Sequence, residues 1–200
     1  MSWRKIVKES IGEQIYAVLK EDILHARHKP GEKLNPRKLA QEVKTSIMPV
    51  RDALNQLVDE GLVVRKPRVG FFVRSFTPLE IAELMEVRKL YELYCLEEYF
   101  DKIDREKIAK YLEKTLKRKN VTSKDREFDE IDEGIHGLII KASGNNYLIN
   151  TYNSIRNYFF ILKHLDLAHV QVAQEEHISL MQAILNKEKE KAKDILKKHI

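Results

Sequence analysis

The sequence predicts a mainly α protein in two parts: three helices closed by a two-stranded hairpin, then an all-helical bundle. Three observations lead there. Apolar residues recur at the three-and-four spacing of amphipathic helices over most of the chain, and strand-like runs occur only at 62–65 and 70–74. A new helix start, Thr77-Pro78-Leu79-Glu80, follows directly and combines a capping box with proline at the first helical position. Charge is also divided unevenly: residues 1–75 carry 15 Lys and Arg against 9 Asp and Glu, whereas residues 76–200 carry 21 against 22. The entire basic excess therefore belongs to a first domain, 1–75, and not to a second, 76–200.

In the first domain, Ile11, Ile15, Val18, Leu19 and Ile23 mark one helix, ended by Lys29-Pro30-Gly31. Asn35-Pro36 opens a second, short helix through Leu39, Ala40 and Val43. A third begins near Ser46, which is placed to cap it, with Pro49 tolerable in the first turn. On that helix Val50, Ala53, Leu54, Leu57 and Val58 share one arc, leaving Arg51 and Asn55 side by side toward solvent. Gly61 stops it. Leu62-Val63-Val64-Arg65 and Gly70-Phe71-Phe72-Val73-Arg74 then read as two strands joined by the basic turn Lys66-Pro67-Arg68-Val69, a wing. A basic excess confined to such a module is the electrostatic footprint of phosphate neutralisation.

The stretch PGEKLNPRKLAQEVKTSIMPVRDALNQLVDEGLVVRKPRVGFFV resembles the amino-terminal winged helix-turn-helix of the GntR family of bacterial regulators. The resemblance implies a homodimer that places its third helices in successive major grooves of a palindromic operator in double-stranded DNA. It puts DNA contacts on Arg37, Arg51 and the wing at Gly70; Ser46, Asn55 and Arg68 complete the expected set. Arg51 is suited to a bidentate pair with guanine, and Asn55 to adenine if it reaches the groove. Where most members carry arginine or lysine after the serine, this chain has Ile47.

Composition narrows the remaining choices. The single cysteine, Cys95, excludes an internal disulfide framework and cysteine-rich zinc modules, and its apolar neighbours Leu93, Tyr94 and Leu96 give it a core position. No apolar run approaches the length needed to cross a bilayer, and Met1 to Lys5 is not followed by a leader's apolar segment, so a cytoplasmic protein without membrane contact is expected.

The second domain reads as helices near 78–100, 105–119, 127–142, 146–168, 171–186 and 188–200. In the third of these, Ile131, Ile135, Leu138 and Ile139 form an apolar arc, and the wheel positions of Asp132 and His136 fall inside it. Glu133, Gly134, Gly137 and Lys141 take the opposite face. A buried aspartate is costly unless paired or metal-bound, and Asp with His at i, i+4 can converge on one ion. His177 and His199 lie 22 residues apart, about 33 Å along one straight helix, but a reversal near Asn186 returns them to similar height. His25 and His28 read as surface residues, and His164 and His169 as structural ones.

EVRKLYELYCLE, DEGIHGLIIKASGN, EEHISLMQAI and the closing KKHI resemble the FCD effector domain, the all-helical partner of the winged helix in the FadR subfamily. The resemblance implies metal ligation by Asp132, His136, His177 and His199, although His199 is penultimate where similar chains continue. This ligand set suits a divalent transition metal, zinc first, with nickel, manganese or iron as alternatives. It further implies a transcriptional regulator, not an enzyme, controlled by a small carboxylate effector that meets the metal and Arg88. A salt bridge with Glu92, four residues on, is an equal reading of Arg88. Two rival functions remain open at this point: a structural or signalling metal, and a metal-dependent hydrolase, which lacks a motif for a general base.

Overall fold

The computed structural model describes residues 9–118, 126–165 and 170–200, without the side chains of 164 and 165. They form two compact units, Met1–Thr77 and Pro78–Ile200.

Helix α1, Ile11–Leu24, starts from a reciprocal capping box: the backbone N–H of Glu13 donates to Ser10 Oγ (3.2 Å) and that of Ser10 to Glu13 Oε2 (2.6 Å). In α2, Pro36–Glu42, Asn35 Oδ1 accepts from the backbone of Arg37 and Lys38. Helix α3 runs Ile47–Asp59, and Gly61 takes φ 73° just past its end, a left-handed conformation open to glycine without strain. Ile15, Leu19 and Ile23 of α1 and Val50, Ala53, Leu54 and Leu57 of α3 are buried in this unit. Ile11 and Val18, assigned to the apolar pattern from sequence, are instead more than half exposed. The buried stripe of α1 is narrower than its hydrophobic one.

The wing holds three strands, not the predicted two. Strand β3, Gly70–Val73, lies between β2, Val63–Lys66, and the two-residue β1, Lys33–Leu34, all antiparallel. Lys33 pairs with Phe72 and Leu34 with Phe71. Two residues are too few to display the alternation by which strands are read; only the buried Leu34 records the pairing.

The second unit contains α4 (Pro78–Tyr99), α5 (Arg105–Leu116), α6 (Arg126–Lys141), α7 (Asn146–Leu165), α8 (Val170–Leu185) and α9 (Lys189–His199). A 3-10 turn, Phe100–Lys102, extends α4, and Asp104 caps α5. Helix α5 stops short of the expected 119, at a C-cap on Lys117. Helices α4, α6, α8 and α9 enclose a core that includes Leu96, Ile135, Ile139, Leu180, Met181, Ile184 and Leu196. Cys95 is fully buried there, and burial first, then Glu92, raises its thiol to about 11, so it stays protonated at neutral pH. On the face of α6 opposite the apolar arc, the Gly134 position is covered: a Cβ there would lie 2.4 Å from the Tyr111 ring of α5. At the α8–α9 reversal Lys187 takes φ 60°. Among the described residues no helix is long and apolar enough to cross a membrane.

Candidate metal centre and nucleic-acid interface

Asp132 and His136 project from α6 because a four-residue step keeps both on one helix face, and the α8–α9 hairpin brings His177 and His199 to meet them. One ligand atom from each of the four lies within 4.8 Å of all the others. Nε2 of His177 is 3.1 Å from Nε2 of His199 and 3.2 Å from Oδ1 of Asp132. Nε2 of His136 is 3.9 Å from the same Oδ1, is buried, and has no hydrogen-bond partner.

The outward sides of three of these groups are occupied. His136 Nδ1 faces Glu92 Oε2 at 2.5 Å, and His199 Nδ1 faces Glu176 Oε2 at 2.9 Å. Lys163 Nζ donates to Asp132 Oδ2 at 3.0 Å and pairs with Asp129 at 2.7 Å. Each imidazole with a carboxylate on Nδ1 is thus oriented to present Nε2 inward, the arrangement that orients and strengthens histidine ligands. The centre fits a divalent cation: an orphaned buried nitrogen, two further imidazole nitrogens and a carboxylate oxygen face one another.

Protonation states agree with this fit. Burial alone would raise the Asp132 carboxyl, but Lys163, His177, His136 and Arg88 outweigh it and hold it well below the usual carboxylate range. Burial pushes His177 well below its ordinary value and, with His136 and Arg88 nearby, lowers His199 as well. An ionised carboxylate and neutral imidazoles are the forms that ligate metals.

Arg88 makes the salt bridge with Glu92 that its i, i+4 spacing offered. Its Nε donates to Glu92 Oε1 at 2.8 Å, while its guanidinium lies 5.4 Å from the Phe159 ring and lines a cavity shared with Asp132, Lys163 and His199. Sequence reasoning did not identify Glu92 as a member of the centre, nor Tyr152, Lys163 or Glu176. The only signals were the i, i+4 spacing to Arg88 and the position of Glu176 directly before His177.

In the first unit Arg37, Ser46, Arg51, Asn55 and Arg68 are all exposed. Among the described residues no ion pair engages Arg37, Arg51 or Arg68, which leaves their charge available to phosphates or bases. Ser46 occupies the N-cap of α3 with extended backbone angles but makes no capping hydrogen bond, contrary to its expected capping role. Gly70 has φ 133°, and a Cβ there would meet Lys33 at 3.3 Å, so backbone geometry alone accounts for glycine at that position. His25 and His28 are held by local bonds to Glu21 and Glu32; His169 and the side chain of His164 lie outside the described residues.

Together, a basic winged helix and an all-helical unit carrying a histidine cluster define the class of a DNA-binding regulator. The profile of bacterial regulatory proteins of the gntR family matches residues 11–73, and that of the FCD domain matches residues 83–200. The chain belongs to the GntR family of transcriptional regulators, with an FCD domain as its second part. It is 29% identical over 192 residues to the HTH-type transcriptional regulator YdhC of Bacillus subtilis, covering 93% of this chain and 86% of that one. The Gluconate operon transcriptional repressor of the same organism is 32% identical over 74% of this chain and 62% of its own length. Among solved structures, a GntR regulator from Rhodococcus sp. RHA1 shares the fold with a TM-score of 0.77 at 20% identity, covering 94% and 92% of the two chains. The Zn2+-bound FCD domain of TM0439 is 36% identical with a TM-score of 0.54, covering 60% of this chain and 84% of that one.

Proposed function

We propose that a small carboxylate metabolite controls the operator affinity of this regulator from a divalent-metal centre in the helical unit. The observation that carries the reading is the convergence of Asp132, His136, His177 and His199 within 4.8 Å. Beside them lies a cavity of about 470 Å³ walled by Arg88 and Lys163 and by apolar side chains such as Met85, Phe159 and Leu162. Two cations on a mostly apolar wall, with Asp132 and His199 at the metal end, suit an anion with a short hydrocarbon body. Zinc is the first choice of metal, supported by the Zn2+-bound FCD domain of TM0439; nickel, manganese and iron accept the same donors. When bound, the metal supplies a Lewis-acidic position for one carboxylate oxygen. Arg88, anchored through Nε on Glu92, offers its remaining donors to the anion.

On DNA, Arg37 and Arg51 are the chief reading residues, joined by Asn55 of α3 where it reaches the groove, while Ser46, Arg68 and the wing at Gly70 complete the contact surface. The working form is a cytoplasmic homodimer, supported by an exposed apolar stripe on α4 formed by Leu79, Val87, Leu90 and Tyr94. The effector acts only as far as it prefers one arrangement of the dimer over another.

Two measurements test the reading. Fluorescence anisotropy with operator DNA should show affinity falling steeply with salt; absent or salt-insensitive binding contradicts DNA recognition. Metal analysis of His136→Ala and His177→Ala should show loss of the ion, and occupancy equal to the parent chain contradicts the centre.

A further inference from the structure

We infer that Glu92 is a positioning residue that fixes His136 in its metal-ligating tautomer while anchoring Arg88 at the cavity wall. Metal affinity then depends on a carboxylate that touches no metal. The inference rests on the metal-centre reading above and adds the residue that sets its strength.

Glu92 is fully buried, and its two oxygens serve three donors from three helices. Oε1 accepts from Arg88 Nε at 2.8 Å within α4 and from Tyr152 Oη of α7 at 2.6 Å. Oε2 faces His136 Nδ1 of α6 at 2.5 Å. An ionised carboxylate has no proton to offer, so His136 must carry its proton on Nδ1. In the neutral ring Nε2 is then a bare lone pair. That nitrogen is buried without a partner and looks toward Asp132, His177 and His199. Exchange of the tautomer would leave two acceptors facing each other at Oε2 and Nδ1 and would place an N–H where a metal lone pair is needed.

Glutamine separates these duties. Its single oxygen can face either the Arg88 and Tyr152 donors or His136, and its amide N–H groups must face the other side. Directed at His136, they select the Nε2–H tautomer and block ligation; directed at Arg88 and Tyr152, they oppose the donor-only guanidinium and release the arginine, while the tyrosine hydroxyl turns to accept. A residue that only supplied packing would tolerate the isosteric exchange without a change in metal affinity.

The test uses the full chain. Competition with a chromophoric chelator measures Zn2+ affinity for the parent and Glu92→Gln, and long-range 1H–15N correlation spectra of the metal-free parent report the His136 tautomer. Zn2+ binding weakened by about 10- to 100-fold in Glu92→Gln, with the parent protonated at Nδ1, is expected. Affinity within about twofold of the parent, set against that range, or a parent protonated at Nε2, overturns the inference. If Glu92→Gln does not fold, the tautomer of the parent decides alone. A parent that takes up no Zn2+ overturns the metal-centre reading together with this inference, whereas equal uptake by both chains overturns the inference alone.

Discussion

Nε2 of His177 lies 3.1 Å from Nε2 of His199, although 22 positions separate them in sequence. Neither helix alone creates that proximity; the turn around Lys187 does, by laying α9 back along α8. Glu176 then holds the outer nitrogen of His199 at 2.9 Å. A metal between these rings would staple the last helix to the bundle.

That staple has a thermodynamic consequence. Zn2+ at about 100 times its dissociation constant should stabilise the parent chain by about 2.7 kcal/mol. His199→Ala should lose most of this gain while keeping its metal-free stability close to that of the parent. Calorimetry with and without Zn2+ checks both statements, and an undiminished Zn2+ effect in the variant would exclude His199 as a ligand.

The metal-free helical unit should be acid-labile. His177 and His199 sit below the ordinary histidine value of 6.5 in the folded chain, so below that pH the unfolded state binds more protons and stability declines. Asp132 and Glu92 act with the same sign: burial is outweighed in each by nearby cations, and their stabilisation is lost as pH falls through their depressed folded values. Urea unfolding in chelator should therefore give a lower midpoint at pH 5 than at pH 7.5. Equal midpoints would contradict the sign of the two histidine shifts, the ones that act between these pH values.

At the reading head, Arg51→Ala should cost about 1 to 3 kcal/mol of operator affinity and relax discrimination at one base position. Arg68→Ala should weaken operator and random DNA alike and reduce the salt slope by about 1. Anisotropy titrations on both DNAs separate the two patterns. An equal loss on random DNA for Arg51→Ala would reassign it to a phosphate.

Two glycines of α6 should respond in opposite ways. Gly134→Ala drives a methyl group into the Tyr111 ring and should destabilise the unit by about 1 to 3 kcal/mol. Gly137→Ala meets nothing within 4 Å and should be neutral or gain up to about 1 kcal/mol from helix propensity. Thermal unfolding of the two variants provides the comparison.

Much of this was legible in the sequence, for reasons specific to each residue. Asp132 and His136 stood out because a carboxylate and an imidazole at helical spacing interrupted an apolar arc. The return of His199 toward His177 followed from the break at Asn186. Glu92 was less legible: Arg88 and Glu92 at i, i+4 look the same on a solvated face as in a core, and only α6 and α7 closing over α4 bury the pair. Strand β1 escaped because two residues carry no period, and Ser46 shows that a capping residue can hold the N-cap without forming the capping bond. Ile11 and Val18 were hydrophobic by type and exposed by position, a distinction periodicity does not draw.

Native mass spectrometry of the purified chain tests the central claim most directly, because it weighs subunits and bound ions together. A dimer of 23.5 kDa chains with one divalent metal per chain, lost in His177→Ala, is the expected result. A metal-free dimer after purification in zinc-supplemented buffer, or metal retained by His177→Ala, would contradict it.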